Sequence, residues 1–240
     1  MSYNLCDIPD SGPNPIVFFD ISLKEECLGR LWMRLYREVF PAGVENFVKI
    51  ASGTTYKKEE NSIGDFNYRK DIRRTYAGCK FFSKKYNNYL VSGDIYNNNG
   101  STAGTIYCDQ PIPALFGPIY YPHDRKGLIS LVPFLDEETG ENFYDSTFMI
   151  TLDKPTPSNT VASLDCDQIV IGEIYCDDCL LDKMNELIKP YAGRRYPDFV
   201  ISNCGVKNVS NSRRRPVPLT ANTSDFINNK NNISCNVCAE

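Results

Sequence analysis

A chain of 240 residues with 42% apolar and 12% aromatic side chains can build one large core, or a core plus a tail, which excludes a wholly disordered polymer. Its formal charge of −4 excludes the basic surface that nucleic acid attracts. No run of about 18 apolar residues exists to span a membrane.

The leader 1–13 ("MSYNLCDIPDSGP") is polar, without the basic start and apolar stretch of a secretory signal, so the chain is expected to be cytoplasmic rather than secreted. Its ten cysteines then read as reduced thiols. "IVFFDISL" (16–23) reads as a largely buried strand and "CLGRLWMRLY" (27–36) as a half-buried one, with "KEE" at the turn between them. In the second strand Leu31, Met33 and Leu35 share one face, opposite Arg30, Trp32 and Arg34, which puts Trp32 on an outer face as a surface aromatic. "PAGVENFVKIASG" (41–53) predicts a helix with Pro at its start, Gly at its end, and Val44, Phe47, Val48 and Ala51 on one side.

The stretch 54–76 is charged and reads as an exposed insertion. "GCKFFSKKYNNYLVSGD" (78–94) reads as two strands around a polar tip, and 97–127 as irregular loop holding the sole histidine, His123, as a surface residue. Short strands follow at 127–132, 147–152 and 168–174, then a helix at 180–188 with Leu181, Met184 and Ile188 in register, and a last strand at 198–205. From 207 to 240 the chain is Asn-rich and polar, a tail; its "RRRPVPL" (213–219) reads as solvated, with a nuclear signal or a docking peptide as alternatives. Many strands with one helix near each end suit a closed antiparallel barrel capped by helices.

Several segments together resemble the cyclophilin family of peptidyl-prolyl isomerases. The opening "NPIVFFDISLKEECLGRLWMRLYREVFPAGVENF" is similar to the family's Phe-Asp-Ile strand, Leu-Gly-Arg and Pro-x-x-x-Glu-Asn-Phe. "VSGDIYNNNGSTAGTIY" resembles its Gly-Gly-Asp-Phe and Gly-rich loop, "GLISL" and "STFMIT" its two central strands, "SLDCDQIVIGEI" its Trp-Leu-Asp segment, and "VISNCG" its closing strand. The ordered set spans residues 14–206. It implies a mainly β fold, a closed eight-stranded antiparallel barrel capped by two α-helices, with no cofactor and no metal. The Asn-rich style and the insertions resemble virally encoded members.

The resemblance also implies a site, and the sequence departs from it. The family's Arg, expected to donate to the prolyl nitrogen, falls at Ser83, whose short neutral hydroxyl cannot polarise that nitrogen. The remaining pocket positions fall at Phe81, Asn88, Tyr89, Val91, Val132, Pro133, Met149, Ser163 and Gln168. Val91 stands for a carboxamide, Pro133 for an Asn that offers backbone contacts, Met149 for a Phe, and Ser163 for the Trp associated with cyclosporin, so cyclosporin binding is not expected. Lys84 and Arg125 are the candidate replacement cations, although strand alternation puts Lys84 opposite Ser83.

Cys176-x-x-Cys179 and Cys235-x-x-Cys238 lie far apart for an ordinary four-cysteine zinc site and read as unpaired thiols, with zinc or a disulfide or redox pair as alternatives. The resulting expectation is a degenerate isomerase site on a peptide-binding or structural viral component, located in host cytoplasm or virion. Proline-containing peptides or proteins are the expected partners, and a homo-oligomer is in keeping with the extra loops. An active isomerase using Lys84 or Arg125 is the alternative.

Overall fold

The structure is a computed structural model that describes residues 14–53, 74–82, 89–100, 103–107, 110–114, 120–154, 164–176, 178–188 and 198–207. It opens on β1 (Ile16–Leu23) and β2 (Glu26–Leu35), an antiparallel hairpin. Lys24 and Glu25 join them with φ of 49° and 71°, the paired left-handed conformation that matches strand twist across a two-residue turn. Alternation then sorts the side chains. Val17, Phe19, Ile21, Leu31, Met33 and Leu35 are fully buried on the inner face.

Trp32 is on the outer face as expected, but it is not a plain surface aromatic. It is 8% exposed, packed with Ile16, Phe18 and Tyr175 in a small cluster of its own. The Arg30 guanidinium lies 4.1 Å from the Phe18 ring centre and donates to Asp20 at 2.6 Å. Because Arg30 is largely solvated, Arg30→Ala should lower stability by no more than about 1 kcal/mol in urea unfolding.

Helix α1 (Pro41–Ala51) has Pro at its first position and ends where Gly53, at φ 67°, donates its N–H to the Ile50 carbonyl. Its buried side is Val44, Phe47, Ile50 and Ala51, with Val48 only partly covered. Phe47 enters an aromatic knot with Phe19, Tyr76 and Phe148, ring centres 4.9–5.7 Å apart. Tyr76, assigned from the sequence to an exposed insertion, is fully buried, and its hydroxyl donates to the Ser146 carbonyl at 3.1 Å. Residues 54–73 of that stretch, and the tail from 208 on, lie outside the described residues.

The other strands are β3 (Tyr89–Ser92), β4 (Ile112–Pro113), β5 (Leu128–Leu131), β6 (Phe134–Leu135), β7 (Asn142–Tyr144), β8 (Phe148–Thr151), β9 (Ile169–Tyr175) and β10 (Phe199–Val206). A one-turn helix α2 (Leu164–Asp167) precedes β9, and α3 (Asp178–Ile188) follows it. On α3, Leu181, Met184 and Ile188 are buried, in the register read from the sequence.

Seven strands form one antiparallel sheet in the order β10-β1-β2-β9-β5-β8-β3, curled around the core. Among the described residues the continuous ladder therefore holds seven strands, and an eighth does not join it. Segment 78–82 lies between its two ends: the Phe81 N–H bonds the Phe199 carbonyl on β10, and Phe82 exchanges both backbone bonds with Val91 on β3. A separate three-stranded sheet, β4-β7-β6, was not foreseen, since strands of two or three residues carry no periodicity to read.

Candidate functional site

The candidate site grows from the end of the sheet where β3, β8 and β5 lie side by side. Val91 on β3 faces Met149 on β8, and Met149 faces Ser130 on β5. Alternation sends Val91 and Met149 away from the main core. There they meet Val132, just past β5, and Leu164, at the start of α2. These four are 1–9% exposed, and Tyr89 packs against them. Thus the structure brings together Tyr89, Val91, Val132 and Met149, four of the pocket positions inferred from sequence. Leu164 completes the wall; the Leu-Asp anchor that aligned Ser163 was the signal for it.

Beside this apolar wall is a cavity of about 430 Å³, bordered by Phe82, Val91, Val132, Pro133, Phe134, Asp145 and Thr147 among others. Phe81 is not on it. It is held in the core, edge-on to Phe148 at 6.1 Å, because the Phe82↔Val91 bridge turns Phe82 to the cavity and Phe81 inward. Pro133 does border the cavity, without an N–H to offer. Gln168 bonds through its backbone N–H to the Leu164 carbonyl, and its side-chain oxygen is buried without a hydrogen-bond partner. Ser83, Lys84, Asn88 and Ser163 lie outside the described residues.

Arg125 is engaged elsewhere. Its guanidinium pairs with Asp124 at 3.0 Å and Glu173 at 3.4 Å, and it does not border the cavity. No Lys or Arg appears among the described cavity residues.

Two carboxylates border the cavity and differ sharply. Asp94 accepts four backbone N–H groups, from Tyr96, Asn97, Asn99 and Gly100, at 2.8–3.1 Å. Burial alone would raise its pKa, but these donors hold it below the ordinary carboxylate value. Among the described residues Asp145 accepts only from Thr147, whose N–H is 2.6 Å away, and partial burial pushes its carboxyl up.

Next to the apolar wall, on the same face of the sheet as Met149, is an arrangement that sequence reading did not find. His123 is 2% exposed, not a surface residue. Its Nδ1 is 2.6 Å from the Asp165 carboxylate and its Nε2 is 2.7 Å from the Ser130 hydroxyl. Burial lowers the His123 pKa, with Asp165 pulling the other way, so the ring is neutral at pH 7. Nδ1–H then donates to ionised Asp165, and Nε2 accepts from Ser130. This has the order of a nucleophilic triad, but Ser130 is fully buried and cannot meet a substrate. What it does is tie β5 to α2, the two elements that place Val132 and Leu164.

Among the described residues no cluster of three His, Cys, Asp or Glu could hold a metal ion. Cys176 is buried and Cys179 exposed, and neither is disulfide-bonded; the second Cys-x-x-Cys pair lies outside the described residues. No helix among the described residues is long and apolar enough to cross a membrane.

Comparison with known proteins places this geometry. The family model for cyclophilin-type peptidyl-prolyl cis-trans isomerases matches residues 18–206. The "Structural PPIase-like protein" of Acanthamoeba polyphaga mimivirus is 54% identical over 229 residues, covering 95% of this chain and 97% of that one. The human NK-tumor recognition protein is 26% identical over 216 residues, 88% of this chain but only 13% of that much longer one. The crystal structure of the mimivirus cyclophilin superposes with a TM-score of 0.69 at 52% identity, over 90% of this chain and 100% of that one. With the family model spanning most of the chain and a relative more than half identical along nearly its whole length, the protein belongs to the cyclophilin-type peptidyl-prolyl cis-trans isomerase family.

Proposed function

We propose that this chain is a cyclophilin-like binding module for proline-containing segments, with little or no isomerase turnover. The observation that carries it is the loss of polarity around the Val91–Met149 wall. Rotation about a prolyl bond is slow because the nitrogen lone pair is delocalised, with a barrier of about 18–20 kcal/mol. Lowering it takes a donor aimed at that nitrogen and groups that hold the neighbouring carbonyl. The wall offers neither: Val91 and Met149 are apolar, Pro133 lacks an N–H, and the aligned donor position is Ser83.

Each missing charge-assisted hydrogen bond costs about 1.5–3 kcal/mol of transition-state stabilisation, or about ten- to a hundredfold in rate. Exchange spectroscopy on an Ala-Pro peptide should therefore show protein-dependent shifts with cis/trans exchange at its uncatalysed rate. Exchange well above that rate would restore the enzyme reading and implicate Lys84, since Arg125 is bound by Asp124 and Glu173.

The fuller reading treats segment 78–82 as the eighth stave of a closed barrel, on the strength of the bonds it makes to β10 and β3. It assigns 14–206 to one domain with an insertion near 54–76 and 207–240 to a tail. Similarity to a viral protein named as structural supports a role in host cytoplasm or virion, with a homo-oligomer in keeping with it.

A further inference from the structure

The cavity beside the apolar wall has a charge that nothing in the described chain balances. Asp94 spends both oxygens on four backbone donors. Asp145 is bonded only by Thr147, and among the described residues no Lys or Arg pairs with it. Asp145 is only partly covered, but a carboxylate beside apolar walls with no counter-ion among the described residues loses part of its hydration, a cost that a cationic guest would offset. Burial pushing the Asp145 carboxyl up is the same cost seen as proton affinity.

The rest of the cavity fits a long side chain with an apolar stem and a cationic head. Phe82, Val91 and Val132 give it apolar walls. Phe134, 42% exposed and stacked on Phe143 at 6.2 Å, offers a ring face at its border. An acidic guest would meet two carboxylates. Val91 and Val132 border both the cavity and the apolar wall, so a residue close to a proline docked on that wall reaches the cavity.

We propose that this cavity takes the Arg or Lys side chain of a bound peptide segment, with Asp145 as its counter-ion. This rests on the reading of the chain as a proline-segment binder and adds to it the chemistry of the neighbouring residue. Asp145 is then a specificity-determining residue, selecting cationic over neutral and acidic sequences.

The test uses the full chain and three peptides titrated by NMR: acetyl-Ala-Arg-Ala-Pro-Ala-Arg-Ala-amide, its twin with citrulline at both Arg positions, and its twin with Glu. Placing the cation on both sides of the proline serves either chain direction. The Arg peptide should bind at least tenfold tighter than the citrulline peptide, and the Glu peptide weakest. Asp145→Asn, which keeps an acceptor for the Thr147 N–H, should erase the difference; Asp145→Ser serves the same purpose if the first variant does not fold. Saturable binding of all three peptides with equal affinity would overturn the cation assignment and leave the binding module intact. An Arg preference that survives in the Asp145 variants would move the counter-ion elsewhere and overturn the role of Asp145. Binding of none of the peptides would overturn the module reading, and this inference with it.

Discussion

Replacing His123 by phenylalanine should lower the unfolding free energy by about 2.5–6 kcal/mol. The ring volume is nearly kept, so the loss is polar. Ser130 would be left fully buried with no acceptor for its hydroxyl, a cost of about 1–3 kcal/mol. The hydrogen bond to the Asp165 carboxylate, about 1.5–3 kcal/mol, would also go. Urea unfolding followed by circular dichroism measures the sum, and a change below about 1 kcal/mol would mean that the relay is not formed. Because Ser130 faces Met149 across the sheet, the same variant should loosen the wall on which a proline is proposed to dock.

The relay also predicts a pH signature. Burial holds the folded-state pKa of His123 below its ordinary 6.5, with Asp165 opposing. A base whose folded pKa is depressed contributes stability that is full above the unfolded value and is lost as pH falls through the folded one. The Asp165 carboxyl, held low despite partial burial by its bonds to His123, acts in the same sense further down. Asp145 has the opposite sign: its raised folded pKa gives a contribution present at acid pH and lost as pH rises through it. Subtracting the His123→Phe stability curve from that of the native protein isolates the first effect, which should appear below about pH 6.5.

Gly93→Ala should be the second severe change, costing about 2–6 kcal/mol. Gly93 has φ 113°, a region that L side chains rarely adopt, worth about 1–3 kcal/mol of strain. An added Cβ would also overlap the Ser146 carbonyl oxygen and lie 2.8 Å from Thr147 Cα, adding about 1–3 kcal/mol of overpacking. Ser146 has no freedom to retreat. Its hydroxyl donates to the Gly93 carbonyl at 2.6 Å and accepts from the Gly104 N–H, while its own carbonyl accepts from Tyr76. Thermal unfolding of Gly93→Ala beside Gly140→Ala separates the two causes. Gly140 has φ 71° but open space around it, so that variant should show only the conformational part, about 1–2 kcal/mol. Equal losses in both would rule out the close approach to Ser146.

The elements that sequence reading found are those whose periodicity belongs to a single segment. β1 and β2 alternate with period two, and each side chain's face follows from its neighbours alone. Pro41 and Gly53 bracket α1 for local backbone reasons, and Leu181, Met184 and Ile188 announce the buried side of α3. Tyr89, Val91, Val132 and Met149 were legible as one site only through the family motifs that align them, since they come from three separate segments.

What was missed depends on partners distant in the chain. His123 looked exposed because its surroundings are polar and irregular; it is buried because Ser130 and Asp165, seven and 42 residues away, satisfy both ring nitrogens. Tyr76 ends a charged stretch, yet its ring fills the knot of Phe19, Phe47 and Phe148 while Ser146 takes its hydroxyl. Phe81 and Phe82 are indistinguishable by composition, and only the bridge to Val91 says which of them borders the cavity. Asp145 carried no motif at all. The sequence by itself thus determined the family and the order of the longer strands and helices. Only the tertiary structure decided which polar groups are buried and which are left without a counter-ion, because burial and pairing are properties of segments brought together, not of any one of them.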